Sequence, residues 1–264
     1  LVMLPLHYQK SGSGKTILLV HGNSQSSEVW DDVINQPALL NCTSICVDLP
    51  GHGNSFHSKD PENDYSLKGM AEHFTQFVQS MQQTEYIIVA ASLGSTVVSE
   101  ALPQLKGCKG LFFVGGCISG NKITPQNAFQ PNPNAAVNYT EKPTEEELEA
   151  YLNLVVFDKE DKSAREKYKK IFLSTDGKVR STLAVTLSKG EWSDEVENIA
   201  KANIPVALVY GKQEEIMQPG YLQNVKLPKW RDEIILIDNA GHSVQIDKPK
   251  ELADLIAGFA NDCL

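Results

Sequence analysis

The sequence predicts a doubly wound, mostly parallel α/β sheet with a helical cap inserted between two of its strands. Three observations carry this. Short apolar runs rich in β-branched residues recur along the chain, apolar on both faces, as strands covered on two sides are. Amphipathic helical patterns sit between those runs, and strands alternating with helices make a parallel sheet. The alternation then breaks between about 118 and 200, where only helical and loop patterns are found.

Taken in order, "LPLHY" (4–8) reads as an added edge strand, and "SGSGKT" (11–16) as a flexible turn. The turn resembles the end of a phosphate-binding loop. The full pattern, however, needs a glycine where Gln9 stands and a helix after Lys15, where "TILLV" is a strand. Strands are expected at 16–20, 43–47, 86–90, 110–114, 204–210 and 233–237, and helices at 66–82, 93–105, 217–225 and 249–260. In the break, "PQNAFQPNPNAA" reads as a Pro/Asn loop. "TEEELEAYLNLVV" opens with Thr144 and Glu147 at capping-box spacing and carries an apolar stripe from Leu148 to Val156. "DKSAREKYKKIF" and "GKVRSTLAVTL" look like two further helices. The expected organisation is a core of residues 1–117 and 201–264 with a cap of residues 118–200. The cap is expected over the carboxyl ends of the strands, where such sheets place ligands.

The 264 residues suffice for one large domain with an insertion, and 41% hydrophobic with 22% charged residues fits a globular protein. A net charge of −9 argues against nucleic acid or an anionic membrane as partner. No run approaches the length of a membrane helix, and the first residues lack the basic-then-apolar pattern of a leader, so a cytoplasmic location is expected. The five cysteines form no C-x-x-C and read as buried free thiols. The six histidines form no cluster at metal-ligand spacing and no dinucleotide fingerprint is present, so neither metal nor cofactor is expected.

The chemistry concentrates at strand ends. "IIVAASLGST" (87–96) runs from an apolar strand straight into a helix, with Ser92 at the turn and the small residues Ala90 and Gly94 two positions to either side. Smallness there lets strand and helix approach while a serine is held in strained backbone, as a nucleophile elbow requires. "LLVHGNSQSSEVW" places His21-Gly22-Asn23 after a strand. The backbone N–H groups of Asn23 and Leu93 could then face a developing oxyanion. Asp48 and His52 of "DLPGHGNS" read as structural loop residues, because His242 in "LIDNAGHSVQIDKP" lies between the last strand and last helix, on the same edge as Ser92. The acid that would orient His242 is then Glu214 or Glu215 of "GKQEE", with Glu214 favoured by position.

With these residues in view, the sequence resembles the α/β-hydrolase superfamily over essentially its whole length. "HGNSQSS", "DLPGHGNS", "ASLGS", "GKQEE" and "DNAGH" stand in the family's order and spacing. Within the superfamily it is most similar to the α/β-hydrolase-fold N-acyl-homoserine lactonases, adding "DYSLKGMA", "STDGKVR" and a glutamate at 214. The resemblance implies a Ser92–His242–Glu214 triad, Asn23 on the lactone carbonyl, and Tyr151 reaching the substrate from the cap. Three features depart from the pattern: Ala90 for the first glycine, Ala91 where a bulky aromatic is expected, and an N-terminus one strand short.

The leading expectation is a serine hydrolase of small esters or lactones. Carbon–carbon bond hydrolysis or lyase chemistry on the same triad is a second, and would need Lys122, Arg165 or Arg180 to bind a substrate carboxylate. A ligand-sensing receptor on a hydrolase scaffold is a third. Oligomeric state is not legible.

Overall fold

Alternate residues of the same strands feed two separate cores. Leu18, Val20, Ile88, Ala90, Leu111 and Phe113 belong to one, while Ile17, Leu19, Ile87, Val89, Phe112 and Val114 belong to the other. This two-residue period, apolar on both sides, is what a strand shows when helices cover both faces of its sheet. The computed structural model describes residues 4–264. Its seven strands are β1 (Tyr8–Ser11), β2 (Lys15–Val20), β3 (Cys42–Val47), β4 (Tyr86–Ala91), β5 (Cys108–Val114), β6 (Val206–Gly211) and β7 (Lys229–Ile237). They form one sheet in the order β1-β3-β2-β4-β5-β6-β7. Only β1 is antiparallel, pairing Tyr8 with Val47, and β2, β4, β5 and β6 run parallel through the middle.

Helices α1 (Leu67–Ser80) and α2 (Leu93–Ala101) cover the first face with Phe74, Phe77, Val97 and Val98. Between β5 and β6 come α3 (Glu145–Val155), α4 (Lys162–Ser174), α5 (Gly177–Lys189) and α6 (Glu195–Ala202). Helix α7 (Pro249–Cys263) covers the second face with Ile256 and Phe259, beside Trp30. Local chemistry sets the helix starts: Ser66, Asp161, Asp176 and Asp194 accept first-turn N–H groups, and Thr144 and Glu147 form the capping box.

The structure corrects several sequence expectations. The edge strand is Tyr8–Ser11 and not 4–8. Pro5 has no N–H to give to a ladder, and the His7 N–H goes to the Ser55 hydroxyl. Residues 217–225 form only a short 3₁₀ turn, Pro219–Leu222, since proline and glycine at its start oppose a longer helix. Helix α2 stops at Ala101 and continues as a 3₁₀ turn containing Pro103. The Pro/Asn loop holds a helical turn, Pro125–Ala128, and a 3₁₀ helix, Pro133–Tyr139. Helix α6 runs across the expected boundary at 200/201. Cys42, Cys46 and Cys108 are buried free thiols, whereas Cys117 and Cys263 are partly exposed.

One contact sets how closely α2 can lie on the sheet. A Cβ on Gly94 would stand 2.6 Å from the His21 carbonyl oxygen and 2.9 Å from that of Val20, both backbone atoms that cannot swing away. At Gly220 a Cβ would meet nothing within 4 Å. Gly94→Ala should therefore cost about 1–3 kcal/mol of stability, and Gly220→Ala less than about 0.5 kcal/mol. Denaturant midpoints of the two variants test this, and equal midpoints would contradict it.

Candidate active site

Ser92 is the whole of the turn between β4 and α2. Its backbone stands at φ 44°, ψ −119°, a region that residues with a side chain rarely occupy. Its neighbours hold it there. The Ser92 N–H donates to the Val114 carbonyl at 2.9 Å, and its carbonyl accepts from the Ser95 N–H at 2.8 Å and the Ser95 hydroxyl at 2.6 Å. The strand-end turn after β2 presses against it, since a Cβ on Gly22 would lie 3.1 Å from Ser92 Cβ. Gly22 donates to Gln25 Oε1 at 2.9 Å, which folds this turn back on itself.

The acid and the histidine come from the other side of the sheet's edge. Beyond β6, Gln213 donates its N–H to the Ala240 carbonyl and accepts the Ala240 N–H on Oε1, stitching the two loops together. That pairing sets Glu214 Oε2 2.8 Å from His242 Nδ1. Glu214 Oε1 accepts from the N–H groups of Ile216 and Met217 at 2.8 and 3.1 Å. The carboxylate is thus fixed by three donors, and Glu215 beside it is exposed. With the carboxylate accepting at Nδ1, the imidazole carries its proton there and leaves Nε2 free to act as a base. The ring lies at the end of β5, where a Cβ on Gly115 would be 3.1 Å from His242 Cε1. The neighbouring Val114 carbonyl is the one that holds Ser92.

Asp48 and His52 brace the strand-end turn. Asp48 accepts from the N–H groups of Ser27 and Asn54 and from His7, at 2.6, 3.0 and 2.8 Å. His52 Nδ1 donates to the Pro50 carbonyl and its Nε2 accepts the Ser24 N–H, and burial holds the ring well below the usual histidine range.

Ser92, Leu93 and Asn23 line a largely apolar cavity, together with Asn138, Leu183 and Trp192 from the segment between β5 and β6. Phe129, Tyr139 and Leu187 border both this cavity and a wider surface groove. Tyr151 is not in the cavity wall. It is buried against Tyr168 and Phe172, and its hydroxyl donates to Asn138 Oδ1 at 2.7 Å, one side chain behind the wall. Asn23 Nδ2 donates to the Asn138 backbone carbonyl at 2.7 Å, so the core turn and the inserted segment meet at that residue.

Nor does any of the three cationic candidates line the cavity. Lys122 is exposed, Arg165 is paired with Glu149 and Asn153, and Arg180 is spent on the carbonyls of Thr140 and Glu141 and the Ser24 hydroxyl. The inner faces of the inserted helices were not read from sequence. An apolar stripe says that a helix packs, and not which of its residues border a cavity.

A model of the alpha/beta hydrolase fold family matches residues 15–249. The chain belongs to this family. Among solved structures it is similar to the N-acyl homoserine lactonase AidH. A substituted form in complex with N-hexanoyl homoserine lactone superposes with a TM-score of 0.90 at 26% identity, covering 100% of this chain and 96% of that one. The complex with N-butanoyl homoserine gives 0.89 at 26% identity, covering 98% and 93%. Among characterised sequences, the human monoacylglycerol lipase ABHD6 is 25% identical over 95% of this chain and 76% of its own. The pimeloyl-[acyl-carrier protein] methyl ester esterase of Nitrosomonas europaea is 24% identical over 94% and 97%. The hydrolase's relatives are thus esterases, lipases and lactonases, and among the described residues no helix is long and apolar enough to cross a membrane.

Asp247 ties the histidine loop to the inserted helices. It accepts the Gly241 N–H at 2.9 Å and the Phe157 N–H, just past α3, at 3.0 Å. Burial, opposed by these two bonds, raises its carboxyl from 3.8 to about 6. A carboxyl raised on folding holds its proton more tightly in the folded chain. Its contribution to stability is therefore full at acid pH and is lost as pH climbs from about 4 through about 6. A ¹³C titration of the Asp247 carboxyl should show a midpoint near 6. A midpoint near the ordinary aspartate value would contradict this reading.

Proposed function

We propose that the protein is a serine hydrolase that cleaves small carboxylic esters or lactones through an acyl-enzyme, with ring opening of N-acyl-homoserine lactones as the candidate reaction. The observation that carries this is the buried Glu214–His242 pair at the end of β5, whose Val114 carbonyl also holds the backbone N–H of Ser92 at the cavity wall. In this reading Ser92 Oγ attacks the substrate carbonyl while His242 Nε2 takes its proton. Glu214 holds the imidazole's tautomer and stabilises its charged form. The oxyanion faces the N–H groups of Asn23 and Leu93. Leu93 is the first residue of α2, where a helix leaves its N–H groups without intrahelical partners. Collapse of the intermediate returns the proton to the leaving alkoxide, and for a lactone that alcohol stays tethered to the acyl group. Water, deprotonated by His242, then releases the acid.

Residues 118–200 act in this reading as the cap over a core of 1–117 and 201–264. Tyr151 contributes by fixing Asn138, which itself stands in the cavity wall. The resemblance to AidH, whose complexes hold N-acyl homoserine compounds, supports a lactone substrate. Carbon–carbon bond chemistry is disfavoured, since the cavity offers no lysine or arginine for a substrate carboxylate.

A panel of esters and lactones, assayed by product mass, tests the reaction. Ser92→Ala should abolish turnover. Glu214→Gln should lower kcat by orders of magnitude, because an amide can present an N–H to the ring and favour the wrong tautomer; loss of the acid in serine proteases costs roughly 10⁴-fold. Glu215→Gln should stay within about threefold. A crippled Glu215 variant beside an active Glu214 variant would overturn the assigned acid, and turnover by Ser92→Ala would overturn the nucleophile.

A further inference from the structure

One carboxylate stands in the wall of the cavity that Ser92 lines, and it takes no part in the proposed reaction. Glu195 is the first residue of α6 and is fully buried. Its Oε2 accepts the Ser119 N–H at 2.6 Å. Its Oε1 has no hydrogen-bond partner. Glu195 and Ser119 both line the cavity, with Thr96, Cys117 and Trp192 nearby in its wall.

The surroundings decide which form this carboxyl takes. Among the described residues no lysine, arginine or histidine pairs with it. Its charged neighbours are the carboxylates of Glu100 and Asp194. Burial, with those two adding to it against the single bond from Ser119, pushes its pKa well above the usual carboxyl range. A neutral carboxylic acid has one O–H donor and keeps acceptor capacity on its carbonyl oxygen. With Oε2 accepting from Ser119, the neutral form would carry its proton on Oε1, which has no hydrogen-bond partner among the described residues. A buried donor left unmatched is unfavourable, and a ligand oxygen that reaches it removes the penalty.

We propose that Glu195 is a specificity-determining residue: its unpartnered Oε1 binds a keto or hydroxyl oxygen carried by the substrate away from the carbonyl that meets Ser92. This rests on the cavity being the substrate site. The preferred substrates are then esters or lactones whose acyl group bears a second oxygen acceptor, and plain alkyl chains of the same length are the poorer ones. Sites built to hydrogen-bond a substrate group discriminate far more strongly than apolar pockets do.

The test is a series of p-nitrophenyl esters of equal chain length, in which one methylene is replaced by a ketone at successive positions. At one position the wild-type kcat/KM should exceed that of the all-methylene ester by at least about tenfold. Glu195→Gln should keep the preference, because its amide oxygen can accept from Ser119 while its NH₂ supplies a donor. Glu195→Met should bring the ratio to within about threefold of unity, whatever its effect on the all-methylene ester. A purely structural role for Glu195 would slow every ester in the series alike. Turnover of the plain ester with no favoured ketone position in the wild type overturns the proposal, even if the Met variant does not fold. So does a preference that survives in a folded Met variant, or a stronger preference for a chain bearing an ammonium group. If the wild type hydrolyses none of the esters, the reading of the reaction fails separately. Calorimetric affinities of matched alkyl and keto carboxamides for the wild type and the Gln variant then decide the role of Glu195, and equal affinities reject it.

Discussion

The site depends on how little room there is between one strand and one helix. Chain leaving β4 must turn into α2 within a single residue, and that residue adopts φ 44° although it carries a side chain. Such a conformation costs on the order of 1–3 kcal/mol and persists only when its surroundings over-determine it. Here they do. Ser92 is held at its N–H by β5 and at its carbonyl by Ser95, and Gly94 lets α2 lie directly on the end of β2. The same closeness brings the Gly22-Asn23 turn against Ser92 and so assembles the cavity wall.

The inserted helices are locked to that wall through polar contacts. Arg180 on α5 donates to the Ser24 hydroxyl, which donates to Asn23 Oδ1, while Asn23 Nδ2 reaches the Asn138 carbonyl. Asp247 makes a similar link between the histidine loop and Phe157, two residues past α3. The segment between β5 and β6 therefore shares hydrogen bonds with the rest of the chain at the two places where the proposed reaction needs close positioning: the turn that would hold the oxyanion and the loop that would carry the base. Positioning of this kind is worth several powers of ten in rate.

Much of this was legible in the sequence. Two-sided apolar strands are unmistakable by composition and length, and β2 through β6 stand where the pattern put them, within two residues at either end. Of the two glutamates the sequence offered, Glu214 is the one that pairs with His242, and Glu215 is exposed. What was missed has physical reasons. Four residues of β1 are paired by long-range contact with β3 and are all exposed, so they carry no burial pattern to read. Residues 217–225 are apolar enough for a helix, but Pro219 and Gly220 leave only a turn. Tyr151 sits behind Asn138, and Glu195 in the wall, because the rotation of helices over a cavity is fixed by packing that no local pattern encodes. A buried glutamate at a helix start reads in sequence as one more favourable first-turn charge.

The central claim is that Ser92 is an activated nucleophile. A fluorophosphonate probe tests it without assuming a substrate, since it phosphonylates only a serine whose proton a neighbouring base removes. After exposure of the folded protein and digestion, mass spectrometry should find one adduct, on Ser92, and heat-denatured protein should carry none. An unlabelled Ser92, or an adduct on another serine, would contradict the account.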